Sequence, residues 1–286
     1  MLLEPVKPFS ESKRTYETAE IIILGIPLDV TVSFRPGTRF APSAIREISW
    51  HLEDYNYLTD EDILDVPFFD MGDLCLTENL DNNLIEIRSV IKRILDDRKI
   101  PLSIGGEHLI TFPIIQALSE IYHELHIIAL DAHTDMSDEY RNIQLSHANV
   151  MKLVYDIVGR KRLFMFGTRS GTKEDKQFMA GNIFSSYKPP EAFTIEKLRD
   201  KPVYISIDMD VLDPSIAPGV TTPEPLGWKY EELYETIKKF SGFKKIVGTD
   251  ITELCPHYDP TGITSLIGAK AAREIMFLLN RCLKNA

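Results

Sequence analysis

The stretch Leu-Asp-Ala-His-Thr-Asp at residues 130–135 directly follows an apolar run, Ile-Ile-Ala at 127–129, that predicts a buried strand. Side chains two residues apart share a face of extended backbone, so Asp131, His133 and Asp135 are expected to point the same way. Two carboxylates and an imidazole on one face are unfavourable unless a positive charge lies among them. The stretch therefore predicts metal ligands at the carboxyl end of a strand, with a solvated polar loop as the alternative.

Apolar runs of strand length recur along the chain and alternate with segments of helical periodicity. Helices are predicted at 42–48, 80–98, 109–122, 147–158, 229–240 and 263–283. Strands are predicted at 20–26, 66–71, 101–104, 125–130, 162–167, 182–186, 203–207 and 245–249. Eight strands in such alternation predict one α/β domain with a mostly parallel sheet, and an eightfold barrel is the main rival. In either fold, ligands bind beyond the carboxyl ends of the strands.

The length and composition place limits on the domain organisation and on the partners. The chain has 286 residues, of which 44% are hydrophobic, and this is enough for one large core. Residues 1–19 are polar and are expected to form a mobile or peripheral arm, so that 20–286 form a single domain. The formal net charge of −11 argues against a nucleic-acid partner. It is compatible with a small cationic ligand and equally with an ordinary acidic soluble protein.

The cysteines and the N-terminus bear on the cellular compartment. Cys75, Cys255 and Cys282 are widely spaced and form no C-x-x-C pair, which is typical of reduced thiols in a reducing compartment. The N-terminus lacks the pattern of a signal peptide, and no apolar run is as long as a membrane span. We therefore expect a cytoplasmic protein that does not bind a membrane.

Three further histidine and aspartate positions follow predicted strands. His108 ends a Gly-Gly-Glu-His turn, and Asp208 and Asp210 lie two residues apart after the strand at 203–207. Taken singly, the histidine could cap a helix and the aspartates could form an Asx turn. Together with the first stretch they give two imidazoles and four carboxylates, a set that suits Mn, Mg, Co or Fe better than structural zinc. Four carboxylates exceed the need of one ion, so two ions bridged by carboxylates and a water are expected.

Three motifs carry a resemblance to a known family. The turn at 105–108, the Asp-Ala-His-Thr-Asp motif at 131–135 and Ser-Ile-Asp-Met-Asp-Val-Leu-Asp-Pro at 206–214 together resemble the ureohydrolase family of arginases and agmatinases. The resemblance extends from about residue 20 to residue 283. It implies a three-layer α/β/α fold with an eight-stranded, mostly parallel sheet. It also implies a trimer or hexamer and two Mn²⁺ ions that serve in the hydrolysis of a guanidinium to urea and an amine.

The resemblance also assigns roles to individual residues. It implies that one Mn²⁺ is held by His108 and Asp135, the other by His133 and Asp210, and that both are bridged by Asp131 and Asp208.

Further positions carry the family's substrate and proton-transfer roles. Asp135 is implied to pass a proton to the leaving amine. His147 resembles the family's loop histidine, a proton shuttle or substrate contact, and Glu253 resembles the glutamate that pairs with the guanidinium. Without the resemblance, Glu253 would be read equally well as an exposed loop glutamate. Glu107 and Ala148 depart from the family's more frequent residues, and the second departure bears on the placement of His147.

The substrate is predicted from the segment after the Asp-Ala-His-Thr-Asp motif. Ser137 is expected to contact the substrate there, and the acids Asp138 and Glu139 would repel a substrate carboxylate but tolerate an amine. The loop at 33–42 also resembles that of agmatinases. We therefore expect agmatine as the substrate, hydrolysed to putrescine and urea.

Two alternatives remain open at this point. Arginase or another guanidino-acid ureohydrolase is the first, because the arginines at 35, 39 and 141 could meet a substrate carboxylate. A single-zinc deacetylase of related architecture is the alternative from another class of enzyme.

Overall fold

One mixed sheet forms the centre of the computed structural model, which describes residues 2–4, 6–10, 12–138 and 142–285. Over these residues the strands, in chain order, are β1 (Leu3–Glu4), β2 (Ile21–Ile26), β3 (Tyr55–Asn56), β4 (Glu61–Asp62), β5 (Phe68–Leu74), β6 (Ile100–Gly105), β7 (His126–Leu130), β8 (Leu163–Phe166), β9 (Phe184–Ser186), β10 (Pro202–Asp208) and β11 (Lys245–Thr252). The short strands β3 and β4 pair with each other as a separate antiparallel ribbon.

The order of strands in the main sheet is β1-β5-β2-β6-β11-β10-β7-β8-β9. All neighbours are parallel except β1, which runs antiparallel to β5 with Leu3 opposite Leu74. The eight predicted strands are the eight parallel ones, and the expected count is corrected to nine by β1. This strand escaped prediction because a two-residue edge strand depends on its partner rather than on its own sequence pattern. The sheet is open, so the barrel alternative is wrong.

Helices cover both faces of the sheet. In chain order they are α1 (Ala41–Ser49), α2 (Leu80–Asp96), α3 (Thr111–Ile121), α4 (Val150–Val158), α5 (Lys173–Met179), α6 (Ala192–Leu198), α7 (Tyr230–Lys239) and α8 (Ile263–Lys284). Apolar residues of α1, α7 and α8 belong to one buried cluster, and those of α2, α3 and α4 belong to a second. The predicted three-layer α/β/α fold is thereby confirmed.

Strand β2 shows why these strands appear in the sequence as continuous apolar runs. Ile21 and Ile23 belong to one core cluster, whereas Ile22 and Leu24 belong to the other, and all four are fully buried. Alternate side chains of a strand point to opposite faces, and helices bury both faces here. Each residue of the run therefore contributes to a core.

The N-terminal segment packs against the sheet through polar contacts as well as through β1. Phe9 is 1% exposed, and its backbone N–H donates to Asp70 Oδ2 at 2.7 Å. Asp70 also accepts two hydrogen bonds from the buried Arg46 of α1, at 2.7 and 2.9 Å. The division into an arm at 1–19 and a catalytic domain at 20–286 stays a prediction.

Four adjacent central strands present their carboxyl ends at one edge of the sheet. They are β6, β11, β10 and β7, and each is followed closely by residues that the sequence singled out. Among the described residues, no helix is both long and apolar enough to span a membrane.

Candidate metal and catalytic site

The six predicted metal ligands converge beyond these strand ends. His108 lies near three carboxylates, with its Nδ1 atom 3.2 Å from Asp131 Oδ2, 3.4 Å from Asp135 Oδ2 and 3.3 Å from Asp208 Oδ2. The imidazole is 1% exposed, and Asp131 is fully buried. One histidine and three aspartates from three segments of the chain therefore surround a single point.

The second half of the cluster is built around His133. Its Nδ1 lies 2.7 Å from Asp210 Oδ2 and 4.0 Å from Asp131 Oδ1. Backbone amides fix the carboxylates: His133 N–H donates to Asp131 at 2.6 Å, and Asp210 N–H donates to Asp208 Oδ1 at 2.8 Å. In both Asp-x-His and Asp-x-Asp, the two residues spaced two apart are therefore joined by a hydrogen bond that closes a turn.

The donor atoms fit a pair of divalent cations. The potential ligand atoms form two groups, and within each group all of them lie within 4.8 Å of one another. One group is His108 with Asp131 and Asp135, and the other is Asp131 with His133 and Asp210. Asp131 belongs to both groups. In addition, His108 Nδ1 and Asp131 Oδ2 are buried and accept or donate no hydrogen bond among the described residues. Such buried polar atoms are costly unless they coordinate an ion.

The electrostatics of the carboxylates favour the same conclusion. Burial, and then the charges of Asp135 and Asp210, raise the pKa of Asp131 to about 7. Burial, and then the charges of Asp210 and Asp131, raise the pKa of Asp208 well above its usual value. Burial opposes a charge on His133 as well, but the neighbouring Asp210 raises the pKa of this imidazole to about 11. A positive charge among these groups would offset their mutual repulsion.

A buried polar network holds His108 from behind. Its Nε2 lies 2.9 Å from Ser206 Oγ, and the Ser206 hydroxyl donates to Asp250 Oδ1 at 2.6 Å. Asp250 also accepts from Thr111 and Tyr204, at 2.7 and 2.6 Å. Because the serine proton is directed to Asp250, Nε2–H donates to Ser206 and the Nδ1 lone pair faces the carboxylates. The sequence analysis did not identify this network, although Ser206 and Asp250 each lie two residues before the end of a strand that leads into the site.

Glu253 lies directly beside the cluster rather than in an exposed loop. It is 3% exposed, its Oε1 accepts the backbone N–H of His108 at 2.6 Å, and its Oε2 accepts the hydroxyl of Thr221. Burial raises the pKa of Glu253 to about 7, whereas the charge of His147 and the Thr221 hydrogen bond oppose this rise. Its φ of 64° lies in the left-handed region, as does the φ of 46° at Asp135. Such strain concentrates at functional sites.

His147 reaches the same cavity from the start of the helical segment that leads into α4. Its backbone N–H donates to Thr31 Oγ1 at 3.0 Å, and its Nε2 lies 3.2 Å from Ser33 Oγ. Both hydroxyl residues come from the loop after β2. Ser33 begins the segment 33–42 that resembles the agmatinase loop, and neither residue was predicted to contact His147.

The cavity at the cluster has a volume of about 170 Å³. Its lining contains hydroxyl, imidazole and carboxylate groups but neither arginine nor lysine among the described residues: Ser33, His133, Asp135, His147, Ala148, Asp208, Asp210, Thr221, Thr222 and Glu253. Ser137, the predicted substrate contact, is partly buried and does not belong to this lining. Residues 139–141, the rest of the segment from which the substrate was predicted, lie outside the described residues.

Two of the arginines that could meet a substrate carboxylate are engaged elsewhere. Arg39 pairs with Asp29, and Arg35 donates to the carbonyl of Pro218 at 3.2 Å while it stacks on Tyr258. Asp138 is 91% exposed and lies 3.7 Å from Lys152 Nζ.

Comparison with known proteins agrees with this geometry. A family model described as Arginase family matches residues 19–278. An agmatinase of Bacillus anthracis is 38% identical over 276 residues, which cover 94% of this chain and 95% of that protein. A guanidinobutyrase of Pseudomonas aeruginosa is 32% identical over 290 residues, covering 95% and 90%.

A solved structure supports the same relationship. The agmatine ureohydrolase of Thermoplasma volcanium matches with a TM-score of 0.88 and 33% identity, covering 98% of this chain and 97% of that chain. Since the family model spans most of the sequence and both comparisons extend over nearly the whole chain, the protein belongs to the arginase family.

Proposed function

We propose that the protein is a hydrolase that cleaves agmatine to putrescine and urea and that works with two Mn²⁺ ions per chain. The metal cluster, the adjacent buried glutamate and the agmatinase relatives at 37–38% identity support this assignment. The substrate would be a small cation, in keeping with the acidic chain.

The lining of the cavity is the observation that favours agmatine over a guanidino acid. No arginine or lysine lines it among the described residues, so a substrate carboxylate would find no counter-charge there. The protonated amine end of agmatine would find hydroxyl and carboxylate acceptors in the same lining. A guanidino-acid ureohydrolase remains the second candidate because of the guanidinobutyrase relative, and because Arg141, which could meet a substrate carboxylate, lies outside the described residues.

The residues that would hold the ions are His108, Asp131 and Asp135 for one and Asp131, His133 and Asp210 for the other, with Asp208 beside His108. Divalent ions bound there would supply a water of lowered pKa as nucleophile and would stabilise negative charge during the reaction. This set of two imidazoles and four carboxylates is rich in oxygen ligands, which Mn²⁺ prefers. It suits Mn²⁺ better than Zn²⁺, the single ion that a deacetylase would bind.

The chain's own side chains would orient the substrate and move protons. Glu253 would accept hydrogen bonds from the guanidinium, in an orientation fixed by His108 N–H and the Thr221 hydroxyl. Asp135 lines the cavity and would pass a proton to the leaving amine. His147, which also lines the cavity and lies near Ser33, would exchange protons between the cavity and solvent.

The test of this function is urea release from agmatine, arginine and guanidinobutyrate, assayed side by side with added Mn²⁺. We expect agmatine to give the highest kcat/KM by at least tenfold. A preference for guanidinobutyrate or arginine would show that agmatine is not the substrate, while the hydrolysis of a guanidinium to urea would still hold.

We also propose that the protein is a cytoplasmic homo-oligomer, a trimer or hexamer. This proposal rests on the sequence analysis alone.

A further inference from the structure

One threonine hydroxyl lies between a buried carboxylate and the cavity histidine. Thr31 Oγ1 is 3.0 Å from Glu107 Oε2 on one side and 3.3 Å from His147 Nδ1 on the other. The backbone N–H of Thr31 also donates to Glu107 Oε2, at 2.8 Å. Glu107 is fully buried, so its position and that of Thr31 are fixed by each other.

The donors and acceptors determine the direction of these hydrogen bonds. A hydroxyl has one proton to donate and can accept two. Glu107 Oε2 already accepts the Thr31 backbone N–H, and the other oxygen, Oε1, has no hydrogen-bond partner among the described residues. The hydroxyl oxygen of a protonated carboxyl group is a poor acceptor, so the oxygen that accepts the amide N–H, Oε2, is the unprotonated one in either state of Glu107. The Thr31 hydroxyl therefore donates to Oε2.

The same hydroxyl must then accept from the histidine. It accepts the backbone N–H of His147 at 3.0 Å, which uses one acceptor position. Its second acceptor position faces His147 Nδ1, and since its own proton is directed to Glu107, Nδ1 carries the proton of this contact. The neutral imidazole consequently presents an unprotonated Nε2 beside Ser33, on the wall of the cavity.

We propose that Thr31 is a positioning residue for His147: held by Glu107, its hydroxyl fixes the imidazole in the Nδ1–H tautomer, with Nε2 ready to accept a proton from the cavity. This rests on the proposed role of His147 in proton transfer. The proposal also assigns a role to Glu107, the residue before the predicted metal ligand His108. Its side chain connects the segment after β6 to the loop after β2.

The substitution Thr31→Val keeps the shape of the side chain and removes the hydroxyl. We expect it to lower kcat about 10- to 100-fold, part of the 10²- to 10⁴-fold that a positioned acid or base contributes, with Mn²⁺ content unchanged. Thr31→Ser restores the hydroxyl and should stay within about threefold of wild type. In a His147→Ala background, Thr31→Val should lower kcat by less than about twofold, because its partner is already gone.

The tautomer is measured directly by ¹⁵N NMR of the His147 ring in the wild-type protein loaded with diamagnetic Mg²⁺. A protonated Nδ1 is expected; a protonated Nε2 in the neutral ring would overturn the proposal even if Thr31→Val fails to fold. Equal loss of kcat in the Ser and Val variants, or a full further loss in the His147→Ala background, would overturn it as well. If the wild type hydrolyses no guanidine, the proposed function fails, whereas the NMR result still decides the role of Thr31.

Discussion

The backbone N–H of His108 donates to Oε1 of Glu253 at 2.6 Å, which links a predicted metal ligand after β6 to the glutamate after β11 that we propose binds the substrate. The two strands are neighbours in the sheet, so the contact is set by the parallel register. A guanidinium held by Glu253 would therefore lie at a fixed distance from the metal ligands. Orientation of this kind is a large part of catalysis in enzymes.

This arrangement predicts that Glu253→Gln retains the metal but loses turnover. The amide oxygen can still accept from His108 N–H, whereas the charge that pairs with the guanidinium is lost. Hydrogen bonds to charged groups contribute roughly 1.5–3 kcal/mol, so kcat/KM should fall about 10- to 100-fold. Steady-state kinetics and elemental analysis check this, with the exposed Glu196→Gln as the matched control. Loss of metal together with activity would contradict the assigned role.

Ser206→Ala should weaken metal binding without unfolding the protein. His108 Nε2 loses its acceptor and Asp250 loses a donor, and removal of such supporting contacts typically lowers metal affinity about 10- to 100-fold. Ser103→Ala is the control, because this serine is equally buried on β6, two strands away in the same sheet, and its Oγ has no hydrogen-bond partner among the described residues. Titration with Mn²⁺ measures both, and equal affinities for the two variants would refute the network.

The buried ion pair between Arg46 and Asp70 should dominate the stability of the N-terminal region. Both side chains are at most 1% exposed, and Arg46→Leu leaves the carboxylate buried without its partner. Removal of one partner of a buried pair costs about 3–5 kcal/mol. The exposed pair Arg88–Glu120 provides the control, since Arg88→Leu should change stability much less. Urea unfolding compares the two, and equal losses would count against this account.

The thiols should differ in reactivity at pH 8.5. Burial raises the pKa of Cys255 to about 12 and that of Cys282 to about 11, so both stay protonated in the folded protein at that pH. Because the thiolate is the nucleophile, iodoacetamide should modify them only after unfolding in urea. Cys75 is partly exposed and should react in the native protein. Mass spectrometry of digests decides, and rapid native alkylation of Cys255 would be inconsistent with its burial.

Much of the fold could be predicted because the strands are buried on both faces. The run at 21–24 contains only large apolar residues, and such runs mark central parallel strands. Helices α5 and α6 were missed because seven residues, as in Lys173–Met179, give too few turns for a clear apolar periodicity. Strand β1 was missed because its pairing with β5 creates it.

The candidate site was predictable in part for a related reason. Ligand spacings such as that of Asp208 and Asp210 are local, and parallel strands bring their carboxyl ends together, so the sequence alone indicated the cluster. Thr31, Ser206 and Asp250 were not recognised, because a lone hydroxyl or carboxylate acquires its role from neighbours distant in sequence. Thr31 and His147, for example, are 116 positions apart.

The most direct test of the account is urea release from agmatine during titration of the metal-free protein with Mn²⁺, with bound metal counted per chain. We predict that activity develops as two ions bind per chain, and that Asp131→Asn, which alters the carboxylate common to both ligand groups, loses metal and activity together. No urea from wild-type protein carrying two ions, one tightly bound zinc in place of two Mn²⁺, or an Asp131→Asn enzyme with full metal and full rate would contradict it.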